Sequence, residues 1–147
     1  MHKKNRGFTL VELMVTIAVL AILSGLAAPS MIKMIRENQV RVEVLDFINL
    51  VSQTRSEAIF RQTTRILALD PTVTTRYILW EAKNKVSRVG TTPTSLSFNF
   101  MGNLISDKNQ CFEFQSSGDS NIKAFVVVRT NGSTLYDQSL TSCPTTS

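Results

Sequence analysis

The chain has 147 residues, of which 43% are apolar, so it has the length of one domain and leaves room for only a very small second module. Its net charge of +5 includes Lys3, Lys4 and Arg6, and only +2 remains if the first residues are removed. A charge of +2 gives no strong support for binding of a polyanion such as nucleic acid.

A basic hexapeptide and Gly7 precede an apolar segment over residues 8–28 that contains a single charge, Glu12. As a helix this segment spans roughly 31 Å, which is enough to cross a bilayer. The basic residues before it predict a cytoplasmic N-terminus, with everything after Pro29 on the far side of the membrane. Three interpretations fit this pattern: a secretory signal cleaved near Ala28, a plain membrane anchor, and a helix that leaves the membrane for a protein assembly.

Glu12 distinguishes these interpretations. A carboxylate inside an apolar helix costs about 2.5 to 3.5 kcal/mol on insertion scales, although a position near the cytoplasmic end lets the group reach the interface. Neither a signal nor an anchor needs such an acid. The stretch from Gly7 to Val15, GFTLVELMV, resembles the prepilin leader of type IV pilins and type II secretion pseudopilins. The resemblance implies cleavage after Gly7, methylation of the new amine on Phe8, and Glu12 as the family's acid at mature position five.

Charge pairing gives this arrangement a physical reason. After cleavage Phe8 carries a cationic amine and Glu12 an anion, and each is costly to bury alone. Pairing between neighbouring subunits offsets both desolvation costs and fixes the register of helix on helix. The resemblance implies these partners: other minor pilins and the major pilin, a prepilin peptidase, an inner-membrane assembly platform, and the membrane itself before assembly.

Pro29 follows the apolar segment, where its missing N–H can bend or locally melt a helix, or simply end it. Continuation is favoured because apolar residues recur at helical spacing beyond it. These residues are Val40, Val44, Phe47, Ile48, Val51, Ala58 and Ile59. We therefore predict an amphipathic helix over residues 29–64, whose apolar stripe packs on the rest of the chain.

The remainder changes to short apolar or alternating runs separated by turn residues, which predicts strands. The runs are Arg65–Leu69, Tyr77–Trp80, Ser95–Phe100, Cys111–Gln115 and Ala124–Arg129. The predicted fold class is α+β, with a long N-terminal helix packed against an antiparallel β-sheet head. The predicted organisation is a cleaved leader (1–7), a transmembrane and filament-core helix (8–28), its amphipathic half (29–64) and a β-rich head (65–147).

The two cysteines, Cys111 and Cys143, match no zinc or redox spacing. A structural disulfide is the favoured interpretation, with two separate buried thiols as the alternative. A disulfide requires an oxidising compartment such as the periplasm, which agrees with the orientation given by the basic N-terminus.

Two stretches of the head, Leu96–Gly102 and Ala124–Gly132, resemble the GspH and FimT type of minor pilins and pseudopilins. The resemblance implies a minor pilin that helps initiate or cap a type IV pilus, held first in the bacterial inner membrane. A minor pseudopilin of type II secretion is one alternative. A DNA-uptake pilin is another, but both arginines of that family's Gly-Arg-x-Arg element are missing from Gly132–Leu135. Arg88, Lys123 and Arg129 are the remaining candidates for a basic spot.

Catalytic and metal-binding patterns are absent from the sequence. The only histidine, His2, lies in the leader, and no glycine-rich phosphate loop, HExxH or EF-hand pattern occurs. We therefore predict no enzymatic activity, no metal and no cofactor. A secreted β-rich domain with a cleaved signal is a third alternative, and a methylated Phe8 at the mature N-terminus would exclude it.

Overall fold

The computed structural model describes residues 8–74, 78–90, 93–137 and 140–144, without the side chains of residues 26 and 27. The chain forms two compact units, Met1–Ile35 and Arg36–Ser147. Helix α1, Leu10–Arg61, contributes residues to both units.

In the first unit, α1 is the apolar helix that the sequence predicts. Its most apolar stretch has a mean hydropathy of 2.4 and is entirely uncovered, and by length and composition the helix can cross a membrane. Pro29 lies inside α1, so the helix continues beyond the proline as predicted. The missing N–H of Pro29 leaves the carbonyl of Gly25 without its usual helical donor, so this turn has one hydrogen bond fewer.

In the second unit, α1 ends at Arg61, three residues before the predicted end. Gln62 takes a left-handed conformation with a φ of 53°. The N–H of Gln62 donates to Ile59 O at 3.3 Å, and the N–H of Thr63 donates to Ala58 O at 3.2 Å. These two bonds form a Schellman cap. The sequence did not reveal it, because glycine is the usual residue at the left-handed position and glutamine occupies it here.

One face of α1 packs into the core of the second unit. Its buried apolar side chains are Val40, Val44, Phe47, Val51 and Ala58. Phe47 lies at the centre of an aromatic cluster, with ring centroids 5.7 Å from Trp80, 4.9 Å from Phe112 and 5.3 Å from Phe114. Ile59, which was predicted on the buried stripe, is 45% exposed. The buried stripe continues to Ala58, and Ile59 lies beside it.

Within the described residues, seven strands complete the second unit. They are β1 (Arg65–Ala68), β2 (Ile78–Leu79), β3 (Val86–Val89), β4 (Ser95–Phe98), β5 (Gln110–Ser116), β6 (Asp119–Val128) and β7 (Thr134–Asp137). They form two sheets, β2-β1-β4 and β3-β5-β6-β7, and all neighbours are antiparallel except β1 and β2. The α+β class is confirmed. The mainly antiparallel head is confirmed as well, but its strands divide into two sheets with one parallel pair, and β3 and β7 were not predicted. Tyr77, the predicted start of β2, lies outside the described residues.

Cys111 on β5 and Cys143 in the C-terminal segment form a disulfide, as predicted, with their Cα atoms 5.8 Å apart. The bond ties the last described segment of the chain to a central strand of the larger sheet. It closes a loop of 32 residues, which restricts the unfolded chain and stabilises the fold by about 3.5 kcal/mol.

One acidic side chain of α1 lies inside the head. Glu43, an acidic residue of a kind expected on the polar face of an amphipathic helix, is only 2% exposed. Its Oε1 accepts hydrogen bonds from the backbone N–H of Lys83 at 3.0 Å and from Asn84 Nδ2 at 3.2 Å. The other oxygen, Oε2, is buried and accepts none within the described residues. Glu43 thus fastens the loop before β3 to the helix.

Candidate assembly site

The start of α1 brings together Phe8, Thr9 and Glu12. Thr9 is the N-cap residue: its backbone N–H and its Oγ1 both donate to Glu12 Oε2 at 3.0 Å, and Glu12 N–H donates to Thr9 Oγ1 at 3.2 Å. This reciprocal arrangement is a capping box, and it satisfies backbone donors that a helix start otherwise leaves open. Sequence reasoning missed it, although the spacing Thr-x-x-Glu is a readable signal for one.

The capping box uses only one oxygen of the Glu12 carboxylate. Within the described residues Oε1 accepts no hydrogen bond, and Phe8 is 87% exposed. The carboxylate can therefore cap its own helix through Oε2 and still accept an external cation through Oε1. Gly7, the predicted cleavage position, lies outside the described residues, as does the rest of the leader.

The apolar side chains after Glu12 have no cover in the first unit. Leu13, Ile17 and Leu20 are each about 60% exposed, and the other large apolar side chains of this segment are similarly open. Burying one such side chain is worth about 1.5 to 3 kcal/mol, so a helix of this kind is not stable against water on every side. Lipid or other helices must supply the missing cover.

The face of α1 that points away from the core of the second unit carries a second open surface. We call it the outer stripe, and its members are exposed, uncharged and separated alternately by three and four residues. They are Val42, Leu45, Asn49, Ser52 and Ser56. This average spacing of 3.5 residues is the one that lets two helices pack along a shared seam, and its serines permit close approach.

The three residues considered for a basic spot do not form one. Arg88 lies over the Trp80 ring, 5.5 Å from its centroid, and donates to the carbonyls of Leu69 and Pro93. Lys123 pairs with Glu113, with Nζ 2.6 Å from Oε1. Arg129 is exposed six residues further along, a distance of roughly 20 Å in an extended strand.

Gly132, the first residue of the stretch compared with the Gly-Arg-x-Arg element, has a structural task instead. It takes a φ of +77° in the turn between β6 and β7. A Cβ atom at this position would lie 2.0 Å from the carbonyl oxygen of Gly102 and 2.9 Å from Arg55 Nε. Arg55 Nε also donates to Gly102 O at 3.0 Å, so the backbones of two loops meet here and the side chain of Arg55 joins them to the helix. In the described part of the chain, no group of three or more metal-ligating side chains occurs.

Two independent comparisons bear on this arrangement. Residues 2–28 match the prokaryotic N-terminal methylation motif, which covers the leader and the apolar segment. No curated protein sequence matches the chain.

The fold is similar to that of the type IV minor pilin FimU from Pseudomonas aeruginosa strain PAO1, solved in two crystal forms. The first has a TM-score of 0.55 at 14% identity, covering 73% of this chain and 96% of that one. The second has a TM-score of 0.53 at 15% identity, covering 71% and 99%. The motif and the fold confirm the resemblance to the type IV pilin superfamily and to its FimU-like members.

Proposed function

We propose that this chain is a minor pilin, a structural subunit that helps initiate or cap a type IV pilus. It is made with a leader (1–7), which a prepilin peptidase removes after Gly7, and the new amine of Phe8 is methylated. The segment 8–28 then holds it in the bacterial inner membrane, with the head in the periplasm. Support comes from the motif match over residues 2–28 and from the similarity of the fold to FimU.

The observation that carries the proposal is the state of Glu12 on an uncovered helix. Its Oε2 is used by Thr9, and its Oε1 accepts nothing within the described residues. A carboxylate left half-satisfied in an apolar setting requires a cation. The methylated amine of Phe8 on a neighbouring subunit supplies one, and the pairing brings the apolar helices side by side in register.

Two further features of α1 suit this role. The outer stripe offers the helix of another minor pilin, or of the major pilin, an uncharged seam on the head side. Pro29 gives the helix a turn with one hydrogen bond fewer, where it can adjust when an inner-membrane assembly platform moves the subunit from lipid into the filament. During assembly, the apolar side chains of residues 8–28 then exchange their contacts with lipid for contacts with other helices.

The decisive experiment separates helix capping from charge pairing. Glu12→Gln keeps a side chain that completes a capping box but removes the charge, whereas Thr9→Ala removes the cap and keeps the charge. We expect Glu12→Gln to reduce recovery in sheared surface filaments at least tenfold, with normal amounts in the membrane. Thr9→Ala costs the helix start about 1 kcal/mol and should leave incorporation largely intact.

A matched control uses the same charge change elsewhere on α1. Glu57, which pairs with Arg61 at 2.8 Å near the end of the helix, is replaced by glutamine, and incorporation should not change. Equal losses for Glu12→Gln and Thr9→Ala would mean that Glu12 only caps its helix. Mass spectrometry of the mature N-terminus checks the processing step, because a methylated Phe8 is expected.

The alternatives are decided by phenotype. A deletion strain should lose surface filaments while protein export through type II secretion continues, and the opposite result would make the chain a pseudopilin. For DNA uptake, the separated positions and internal partners of Arg88 and Lys123 predict negligible salt-dependent retention of DNA by the mature chain.

A further inference from the structure

The second unit contains a polar pocket of about 500 Å³ that the proposed function does not use. Arg36 of α1 forms one wall, and the hairpin between β5 and β6 forms the other. Ser87 on β3, which lies opposite Gln115 on β5, closes the side. Arg36 and the hairpin are about 80 residues apart in sequence, so the pocket exists only in the folded head.

The side chains around the pocket are mostly hydrogen-bond donors that have no acceptor. The guanidinium of Arg36 is half-buried and has no hydrogen-bond or ion-pair partner among the described residues. In the same described ranges, the hydroxyls of Ser87, Ser117 and Ser120 make no side-chain hydrogen bond, and neither does the amide of Gln115. A cation with an arc of free donors is suited to an anion with several oxygen atoms.

The pocket also contains one acid, Asp119, which could in principle neutralise Arg36. Its Oδ1 instead accepts from the backbone N–H of Asn121 at 3.0 Å and from Asn121 Nδ2 at 3.1 Å. No Asp119 oxygen lies within ion-pair distance of Arg36 in the described structure. The positive charge of Arg36 therefore remains available to a ligand.

Gly118 at the hairpin tip makes room for the guanidinium. A Cβ atom there would lie 3.0 Å from Nε, 3.1 Å from Cζ and 3.2 Å from Nη2 of Arg36, which is tighter than ordinary van der Waals contact. The planar group thus rests directly on the backbone of the hairpin. A side chain at position 118 would push the cation out of the pocket.

We propose that this pocket binds a phosphate group carried on a small ester. A guanidinium fork with hydroxyl donors on several sides matches a tetrahedral anion better than a planar carboxylate with two oxygens. The volume exceeds what the anion alone needs, so part of the ester also fits. No aromatic residue lines the pocket, which removes the stacking surface that a sugar or base would use.

Two sources supply this chemistry, a soluble phosphate ester and the headgroup of a phospholipid. Arg36 follows the predicted membrane segment by only eight residues, so a headgroup is close at hand if the chain resides in the membrane as proposed. Only the lipid source rests on the proposed function. The phosphate site stands on the geometry of the head.

The test uses the ¹⁵N-labelled mature chain in dodecyl maltoside, which contains no phosphate. It is titrated with glycerol 3-phosphate at constant ionic strength, with chloride as the blank. We expect saturable shifts of the amide signals of residues 116–120, and an affinity at least tenfold weaker for Arg36→Gln. Arg36→Lys, which keeps the charge without the fork, should fall between them. Arg129→Gln makes the same charge change beyond the far end of β6 and should bind as the wild type does.

Unchanged amide signals elsewhere in the spectrum establish that the Arg36 variants are folded. A second arm places the chain in phosphatidylglycerol nanodiscs without added phosphate. Shifts of residues 116–120 in that arm, with no further change on adding glycerol 3-phosphate, identify the headgroup as the source, whereas shifts only on titration identify a soluble ester. The proposal is overturned if neither arm moves these signals, or if Arg129→Gln weakens binding as much as Arg36→Gln.

Discussion

The two units put apolar residues of one helix to opposite uses. In the first unit Leu10 is 74% exposed and Ile17 58% exposed, whereas in the second unit Val44 and Phe47 are completely buried. The second unit covers its apolar face with its own strands, so its stability is internal. The first unit has no such cover, so its free energy depends on what surrounds it, lipid or protein. A single helix can thus be both a core element and an interface.

Truncation of one side chain in each unit gives the strongest test of whether only the second unit contributes to the stability of the head. Phe47→Ala removes the centre of the aromatic cluster and should lower the free energy of unfolding of the head by about 4 kcal/mol. Ile17→Ala, in the uncovered segment, should leave that free energy unchanged. Urea unfolding of the mature chain in detergent measures both, because Trp80, the only tryptophan, contacts Phe47 and reports on the head.

The same pair separates stability from assembly. Phe47→Ala should reduce the amount of folded protein, and Ile17→Ala should affect only the proposed packing of the helix in a filament. A lower urea midpoint for Ile17→Ala would contradict the division, because it would mean that the first unit contributes to the stability of the head.

The close contact between the turns at Gly132 and Gly102 contributes to the stability of the head. Gly132→Ala combines an unfavourable left-handed conformation with a Cβ atom 2.0 Å from the Gly102 oxygen, and we expect a loss of about 3 kcal/mol. Gly90→Ala is the matched control, since Gly90 has a φ of +85° but nothing within 4 Å of the added atom. It should cost only about 1 kcal/mol, from the backbone conformation alone. Equal losses in urea unfolding would show that the contact with Gly102 is unimportant.

What the sequence revealed depended on whether a signal was local. The leader, the apolar segment and the continuation beyond Pro29 follow from adjacent residues, and the Thr9–Glu12 capping box was equally local but overlooked. The end of α1 was missed because Gln62 takes a position usually held by glycine.

Features that join distant segments could not be predicted in this way. The short strand β3 mixes serine and arginine with its valines, and its identity comes from pairing with β5. The division into two sheets and the parallel pairing of β2 depend on long-range register. Glu43 looked solvent-exposed because no local pattern indicates that the loop at Lys83 covers it, and no pattern links Arg36 to the hairpin at Gly118.

The smallest expected effect is the pH response of Glu43, the one acidic group that the core of the head encloses among the described residues. Burial raises the pKa of its carboxyl above the ordinary 4.5, and the hydrogen bonds from Lys83 and Asn84 offset only part of that rise. Between pH 4.5 and the raised value, the folded head therefore binds a proton that the unfolded chain does not. Lowering the pH through this window should increase the free energy of unfolding.

Glu43→Gln removes the titration while keeping an oxygen that can accept from Lys83, so its stability should change less with pH over the same window. Asp70 does not confuse the measurement, because hydrogen bonds from Thr72 lower its pKa below 3.8 and its contribution is lost only in more acidic solution. Glu113→Gln, in the pair with Lys123, is the control that makes the same charge change outside the core. Urea midpoints between pH 7 and pH 4.5 measure all three proteins. A wild-type slope for Glu43→Gln would place the titrating group elsewhere, and would mean that water reaches the carboxylate of Glu43 while the head is folded.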